Sequence, residues 1–138
     1  MPSSVDLVAV DPSLVAEVWP HARSLVKTAI ERTGLSNFAS IEAEVLNGSQ
    51  LLWLGWNGST IEAAGTTQLV KIEGHKICVI VSFAANSPRS RWLPLLAVIE
   101  NFAKAEGCKS VRLVGRKGWE RILENYRANY VVMDKELA

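Results

Sequence analysis

The chain has 138 residues, of which 49% are hydrophobic and 21% are charged, and its formal net charge at pH 7 is +1. This composition is typical of one globular domain, over residues 1–138, that is large enough to bury a core. The near-zero charge gives no basis for a nucleic-acid or anionic-membrane partner. No apolar run approaches the roughly 20 residues that span a bilayer, and no signal peptide is visible at the N-terminus.

The cysteines and histidines show no disulfide or metal pattern. Cys78 and Cys108 lie in apolar contexts, which indicates buried thiols. His21 and His75 have no partners at ligand spacing. We therefore expect a reducing, cytoplasmic setting and no metal site.

The N-terminal third predicts a strand followed by two helices. The strand covers about 5–10, and Asp11 then caps a helix that ends at Gly34. Pro20 interrupts the apolar face of this helix, which predicts a kink or a split into two. A second helix is predicted over 38–46.

The middle of the chain predicts an antiparallel meander. Asn57-Gly58 is a strong hairpin turn, and Gly65 is a candidate β-bulge. The predicted strands cover about 50–56, 60–72 and 76–85.

The C-terminal third predicts one parallel crossover. An amphipathic helix over 92–106 joins the third meander strand to a strand at 110–115, which should therefore be parallel to it. A short helix over 118–126 and a last strand over 130–137 follow. The predicted order is β-α-α-β-β-β-α-β-α-β, an α/β (α+β) fold with a mixed sheet and helices on both faces.

The loop over 86–92 is the most informative segment. A loop between a strand and a helix is a common phosphate site, because the helix N-terminus presents unpaired N–H groups and partial positive charge. Such loops usually contain glycine, which lets the backbone approach the anion. This loop has none and instead carries Arg89, Arg91 and Trp92.

The order of elements resembles the GCN5-related N-acetyltransferase (GNAT) family over nearly the whole chain. Several short motifs also resemble small acetyltransferase-like proteins encoded by phages and prophages: Trp19-Pro20, Leu51-Leu52-Trp53-Leu54, Trp92-Leu93-Pro94, Gly107-Cys108 and Gly115-Arg116-Lys117-Gly118-Trp119.

The resemblance implies that the 86–92 loop holds the pyrophosphate of acetyl-coenzyme A. The family pattern there is Gln/Arg-x-x-Gly-x-Gly/Ala, and its last three anchor positions fall near Ser87, Ser90 and Trp92. Serine and tryptophan thus stand where the family has glycine. An indole across the helix end would fill the phosphate volume, whereas an indole turned into the core would leave room for the cofactor.

The resemblance also implies a proton donor. Asn125-Tyr126 is similar to the family's Phe-Tyr pair, so Tyr126 is the candidate acid that protonates the departing thiolate, with packing at a helix end as the alternative. The strand over 76–85 has no carboxylate, and Glu62 on the preceding strand is the nearest candidate base. Its alternative role is a solvated surface residue.

Four basic residues are candidates for a rim around one cleft. Arg116 and Lys117 follow the parallel strand at its C-terminal end, where open α/β sheets place ligands. With Arg89 and Arg91 they could hold the phosphates of coenzyme A or an acidic partner surface. Ordinary solvated residues are the alternative.

Two functions follow from these patterns. The first is a degenerate GNAT-fold protein of phage origin that binds a phage or host protein, in the host cytoplasm or the virion. The alternative is an active N-acetyltransferase that uses acetyl-coenzyme A to modify an amine. The sequence does not give the oligomeric state, but the exposed edge of a mixed sheet could pair with a second copy, so a homo-oligomer is a candidate in either case.

Overall fold

The computed structural model of the chain describes residues 5–86, 88–115, 119 and 122–137, with only the backbone of Arg89 and Ser90. Its centre is a five-stranded mixed sheet whose strands follow chain order. Successive strands from β1 to β4 are antiparallel, and β4 and β5 are parallel. The strands are β1 (Asp6–Ala9), β2 (Leu51–Trp56), β3 (Ile61–Ile72), β4 (His75–Ala85) and β5 (Ser110–Leu113).

Two helices between β1 and β2 cover one face of the sheet, α1 (Val15–Thr33) and α2 (Phe38–Leu46). A 3-10 turn capped by Asp11 leads into α1, and Gly34 ends it in the left-handed conformation, with φ 66°. Of the kink or split predicted at Pro20, the split is wrong, because α1 runs unbroken through this residue. Burial of the apolar face of this long helix outweighs the cost of about 3 kcal/mol for an interior proline.

The core consists of two layers, one on each face of the sheet. Along β2, side chains alternate between the layers, as the period of a strand requires. The layer under α1 and α2 contains Ala22, Val26, Ile30, Val45, Leu52, Leu54 and Ala64. The layer on the opposite face contains Trp53, Cys78, Ile80, Phe83, Trp92, Leu96 and Ile99.

The β3–β4 pair contains a bulge beside Gly65. Thr66 lies opposite Ser82 and Thr67 opposite Ile80, so Val81 is the extra residue, on β4 and not at Gly65 as predicted. Gly65 has a different role. A Cβ atom there would lie 2.6 Å from the backbone oxygen of Ser82, so only glycine allows the strands to approach this closely.

The segment after the 86–92 loop is helical but interrupted. It consists of α3 (Arg89–Trp92), a 3-10 turn (Leu93–Leu95) and α4 (Leu96–Ala105). The prediction of one continuous helix over 92–106 is therefore wrong in this respect. Pro94 has no N–H to donate, and the chain takes the tighter turn at this point.

The C-terminal segment departs most from prediction. Trp119 accepts N–H bonds from Ile122 and Leu123, which makes one turn. Asn125 has φ 64°, so no helix continues to Tyr126, and residues 118, 120 and 121 lie outside the described part. The strand predicted over 130–137 does not form, because its residues have no sheet partner. None of the helices described here is long and apolar enough to cross a membrane.

Candidate functional site

A cleft opens where β4 and β5 separate. The two strands pair from Ile77–Ser110 to Ile80–Leu113, where β5 ends, while β4 continues to Ala85. The resulting cleft has a volume of about 290 Å³. It lies beyond the carboxyl ends of parallel strands, where open α/β sheets bind ligands.

The long wall of the cleft is the unpaired part of β4. Residues 80–85 line it. Peptide groups along a strand point alternately to its two sides, so those that would meet a longer β5 face the cleft instead. The Val81 bulge lies where the strands part and redirects β4 at this point. The cleft is therefore bordered by backbone hydrogen-bonding groups at close range.

The remaining walls are mostly apolar. The end of α1 contributes Ala29, Arg32 and Thr33, and the end of β5 contributes Leu113, Val114 and Gly115. Trp92, Trp119 and Ile122 line the cleft as well. Arg32 is the charged side chain among the described lining residues, which gives this end of the cleft a positive charge.

Trp92 is turned into the core. Its side chain is only 6% exposed, and its ring lies 4.8 Å from that of Phe83 and 5.3 Å from that of Trp119, centre to centre. The indole thus packs between β4 and the turn at Trp119 and does not lie across the exposed end of α3. Of the two orientations considered from the sequence, this is the one that leaves room for a cofactor.

Glu62 and Arg91, predicted as a base and a cofactor ligand, contact each other. Two Arg91 nitrogens donate to the Glu62 carboxylate, at 2.7 and 3.0 Å, and Asn57 donates to it at 2.7 Å. The hydrogen bond from Arg91 to Glu62 raises the pKa of Arg91. The backbone oxygen of Glu62 also accepts the N–H of Asn86, at 2.8 Å. Glu62 therefore holds the 86–92 loop near both of its ends.

The loop offers less to a phosphate than its position suggests. The N–H of Arg91 donates to the oxygen of Pro88, at 2.9 Å, within the α3 turn. Ser87, Arg116 and Lys117 lie outside the described residues, as do the side chains of Arg89 and Ser90. The cofactor-binding and basic-rim roles of these five residues stay predictions.

Tyr126 contacts α4. Its hydroxyl donates to the carboxylate of Glu100, at 2.8 Å. Burial, and then this hydrogen bond, raise the pKa of Tyr126, and the nearby Cys78 contributes to the shift. Neither Tyr126 nor Glu62 is among the cleft-lining residues that the structure describes. Trp92 is the predicted site residue that the described structure brings to the cleft.

Sequence reasoning missed the contributions of β4 and α1 to the cleft. Residues 80–85 border the cleft with their backbone groups, which every residue type has, so their role could not be predicted from the residue types. The bulge at Val81 lies in an apolar strand that contains no residue typical of a bulge. One signal was available. The strand predicted over 76–85 is much longer than its parallel neighbour at 110–115, so the two had to part.

Solved structures resemble this chain closely in fold. No protein-family model and no curated protein matches the sequence. An aminoglycoside acetyltransferase from an uncultured soil metagenomic sample, in complex with sisomicin, is 10% identical with a TM-score of 0.72, over 97% of this chain and 96% of that one. A GNAT family acetyltransferase from Staphylococcus aureus is 16% identical with a TM-score of 0.65, over 97% and 99%.

A third similar structure contains CoA. Aminoglycoside N-acetyltransferase AAC(6')-Iy in complex with CoA is 12% identical with a TM-score of 0.68, over 100% of this chain and 98% of that one. At sequence identities this low, the structural similarity establishes the architecture, and the activity has to be argued from the site. The predicted α/β fold is confirmed: this chain has the fold of the GCN5-related N-acetyltransferases.

Proposed function

We propose that the chain is an acetyl-CoA-dependent N-acetyltransferase that binds the acyl end of the cofactor in the cleft between β4 and β5. The observation that carries this proposal is the separation of the two parallel strands after Ile80 and Leu113, which exposes the backbone of β4. The similarity to acetyltransferase structures, one of them in complex with CoA, supports it.

The described residues fit the acyl arm of the cofactor. The cleft is lined by residues 80–85 of β4 along one side, and its apolar lining includes Leu113 and Ile122. Backbone groups of residues 81–85 are available to hydrogen-bond an amide-containing chain in the manner of a strand. When bound, acetyl-CoA supplies a thioester as the acetyl donor.

In this proposal, the residues around the cleft position the amine and the thioester and stabilise the charge that develops during acetyl transfer. A new bond joins the amine nitrogen to the acetyl carbon as the carbon–sulfur bond breaks, so one proton leaves the nitrogen and one is delivered to the sulfur. Backbone N–H groups of β4 facing the cleft would stabilise negative charge that develops on the acetyl oxygen. The apolar side chains in the cleft wall lower the local dielectric relative to bulk water, which strengthens these interactions.

Tyr126 is the proposed proton donor. The Tyr126 hydroxyl is protonated at neutral pH, as an acid requires, although burial and the hydrogen bond to Glu100 raise its pKa and so weaken it as a proton donor. Because Tyr126 does not line the described cleft, its proton would travel by rotation of the side chain away from Glu100 or through a water molecule. Glu62 is better supported as a positioning residue than as a base, since its carboxylate binds Arg91 and Asn57.

The test is release of free thiol from acetyl-CoA in the presence of a broad panel of amines. We expect amine-dependent release, and we expect Val114→Trp to abolish it by filling the cleft. The matched control is Val98→Trp, which places the same bulk on an exposed position of α4 outside the cleft lining. Absence of thiol release with every amine, or equal activity of both variants, would contradict the proposal.

A second pair of variants tests the role of Tyr126. Tyr126→Phe removes the proton, whereas Glu100→Gln keeps the hydroxyl and a hydrogen-bond acceptor. A proton donor predicts a kcat lowered about 100-fold by Tyr126→Phe with Kd for acetyl-CoA nearly unchanged, the usual size of an acid–base contribution. If the two variants lower stability alike and leave kcat unchanged, Tyr126 is structural.

Two features favour a second function. The resemblance to the family implies that Trp92 lies near a position where the family has glycine, and the adjacent Arg91 N–H already donates to Pro88. These features support a GNAT-fold protein that has lost the pyrophosphate site and binds a phage or host protein instead, as the phage-like motifs suggest. A folded protein that binds neither CoA nor acetyl-CoA in calorimetry would favour this alternative.

A further inference from the structure

The cleft between β4 and β5 is lined from both faces of the sheet. Trp92 belongs to the core layer on one face, and Trp119 and Ile122 pack against the same layer. The end of α1 lines the cleft from the opposite face, where α1 packs on the other core layer. The 86–92 loop ends at Trp92, so a cofactor held by this loop enters from the first face. Because the two reacting groups must meet in the cleft, the face of α1 is left for the second substrate.

Ser82 provides a buried polar group on the face of α1. It lines the cleft and is 5% exposed, and its hydroxyl lies 2.8 Å from that of Thr66 on β3. Thr66 lies two residues after Ala64, which belongs to the core layer under α1, so the two hydroxyls are on that face. One hydrogen bond between two hydroxyls leaves lone pairs on both oxygens. The inner part of the cleft therefore has an acceptor for the N–H of an amine.

Arg32 provides a positive charge at the outer part of the same face. It lies in the last turn of α1, lines the cleft and is exposed. Among the described residues, no carboxylate lies within ion-pair distance of its guanidinium, whereas Arg23 on the same helix pairs with Glu42 at 2.7 Å. A guanidinium binds a carboxylate through two parallel hydrogen bonds. The charge of Arg32 is thus available to a ligand in the cleft.

We propose that the acceptor substrate is an amine that also carries a carboxylate, with the amine beside Ser82 and the carboxylate on Arg32. This inference rests on the proposed acetyltransferase function, because it names the second substrate of the same cleft. The order of the two groups follows from burial. The amine must reach the thioester inside the cleft, and the carboxylate stays at the exposed end, where it keeps more of its water. A positive charge at this end also disfavours an acceptor with a second ammonium group.

The test compares ω-amino acids of increasing chain length with their amides as acceptors in the thiol-release assay. The two members of each pair have the same chain and the same amine, and they differ in one negative charge at the far end. At the best chain length we expect kcat/KM to be about tenfold higher for the acid than for the amide, and lowest for the diamine of the same length. The acid-to-amide ratio should fall as ionic strength rises, since Arg32 is exposed.

Variants of α1 test the role of Arg32. Arg32→Gln should lower the acid-to-amide ratio to about one, and Arg32→Lys, which keeps the charge, should retain part of it. The matched control is Lys27→Gln, which removes the same charge from an exposed position of α1 outside the cleft lining and should leave the ratio unchanged. A cation in the last turn also stabilises the carbonyl end of a helix. If this is the whole role of Arg32, Arg32→Gln lowers the free energy of unfolding without changing the ratio, which would overturn the proposal.

Two negative results have different meanings. Thiol release with equal kcat/KM for the acids and their amides would overturn the carboxylate-bearing acceptor and leave the proposed acetyltransferase function standing. The absence of thiol release with every acceptor, the acids included, would overturn both.

Discussion

Replacement of Trp92 by alanine should strongly destabilise the fold. The indole is 6% exposed and contacts the rings of Phe83 and Trp119. Burial of about 200 Å² at roughly 25 cal/mol per Å² corresponds to about 5 kcal/mol, an upper value because unfolded chains are partly compact. Measured truncations of buried aromatic residues cost about 3–5 kcal/mol. We therefore expect the free energy of unfolding to fall by about 4 kcal/mol.

Urea denaturation measures this change directly. With a slope of about 2 kcal/mol per molar, typical of a domain of this size, the midpoint for Trp92→Ala should fall by about 2 M. Trp56→Ala is the control, because Trp56 is 41% exposed at the end of β2 and on the same scale should cost at most about 3 kcal/mol. If Trp92→Ala costs no more than Trp56→Ala, the indole lies outside the core, across the end of α3, and the orientation described above is wrong.

Three further predictions concern other parts of the fold. Gly65→Ala should lower the free energy of unfolding by more than about 2 kcal/mol in urea denaturation, because the new Cβ would meet the β4 backbone at 2.6 Å, and a small effect would refute this packing. Glu62→Gln should weaken acetyl-CoA binding about tenfold, because it weakens the ion pair that holds Arg91. The control Glu42→Gln, which weakens the ion pair with Arg23 between α1 and α2, should leave the affinity unchanged. Equal affinities of the two variants would contradict the positioning role of Glu62. The pKa of Tyr126 in the folded chain is raised from its ordinary value of 10.0, so the unfolded chain loses this proton at lower pH than the folded chain, and the free energy of unfolding should fall as pH rises above 10.0. The fall should be smaller in Tyr126→Phe, and identical pH profiles of the two proteins would exclude the raised pKa.

The regular elements were predictable because their signals are local. The Asn57-Gly58 turn fixes the β2–β3 hairpin, and the Asn57 side chain accepts the N–H groups of Ser59 and Thr60 there. Gly34 ends α1 as predicted, with φ 66°. These features depend on residues within a few positions of one another, so a single sequence contains the information.

The errors arise where tertiary context decides. α1 passes through Pro20 because its apolar face is buried over many turns, which a local rule cannot weigh. The strand predicted over 130–137 has strand-forming residues and no partner in the described structure. A strand is stable only when another strand supplies its hydrogen bonds, and a single sequence does not say where that strand lies.

The sequence indicated the end of the sheet where the cleft lies, because the 86–92 loop follows β4 and its last residue, Trp92, lines the cleft. The cofactor-binding role of this loop stays a prediction. The pairing of Glu62 with Arg91, 29 positions apart, was not predicted, because each residue considered alone is typical of a charged surface position. The backbone of β4 beyond Ile80 was missed for a different reason, since it acts through peptide groups that every residue has.

Calorimetric titration of the chain with acetyl-CoA shows whether the cleft beside β4 binds the proposed cofactor. The open cleft beside β4 and the burial of Trp92 predict saturable binding with a Kd in the micromolar range, abolished in Val114→Trp and retained in Val98→Trp. The absence of binding by the folded protein at millimolar acetyl-CoA would contradict the proposal that this cleft binds the cofactor.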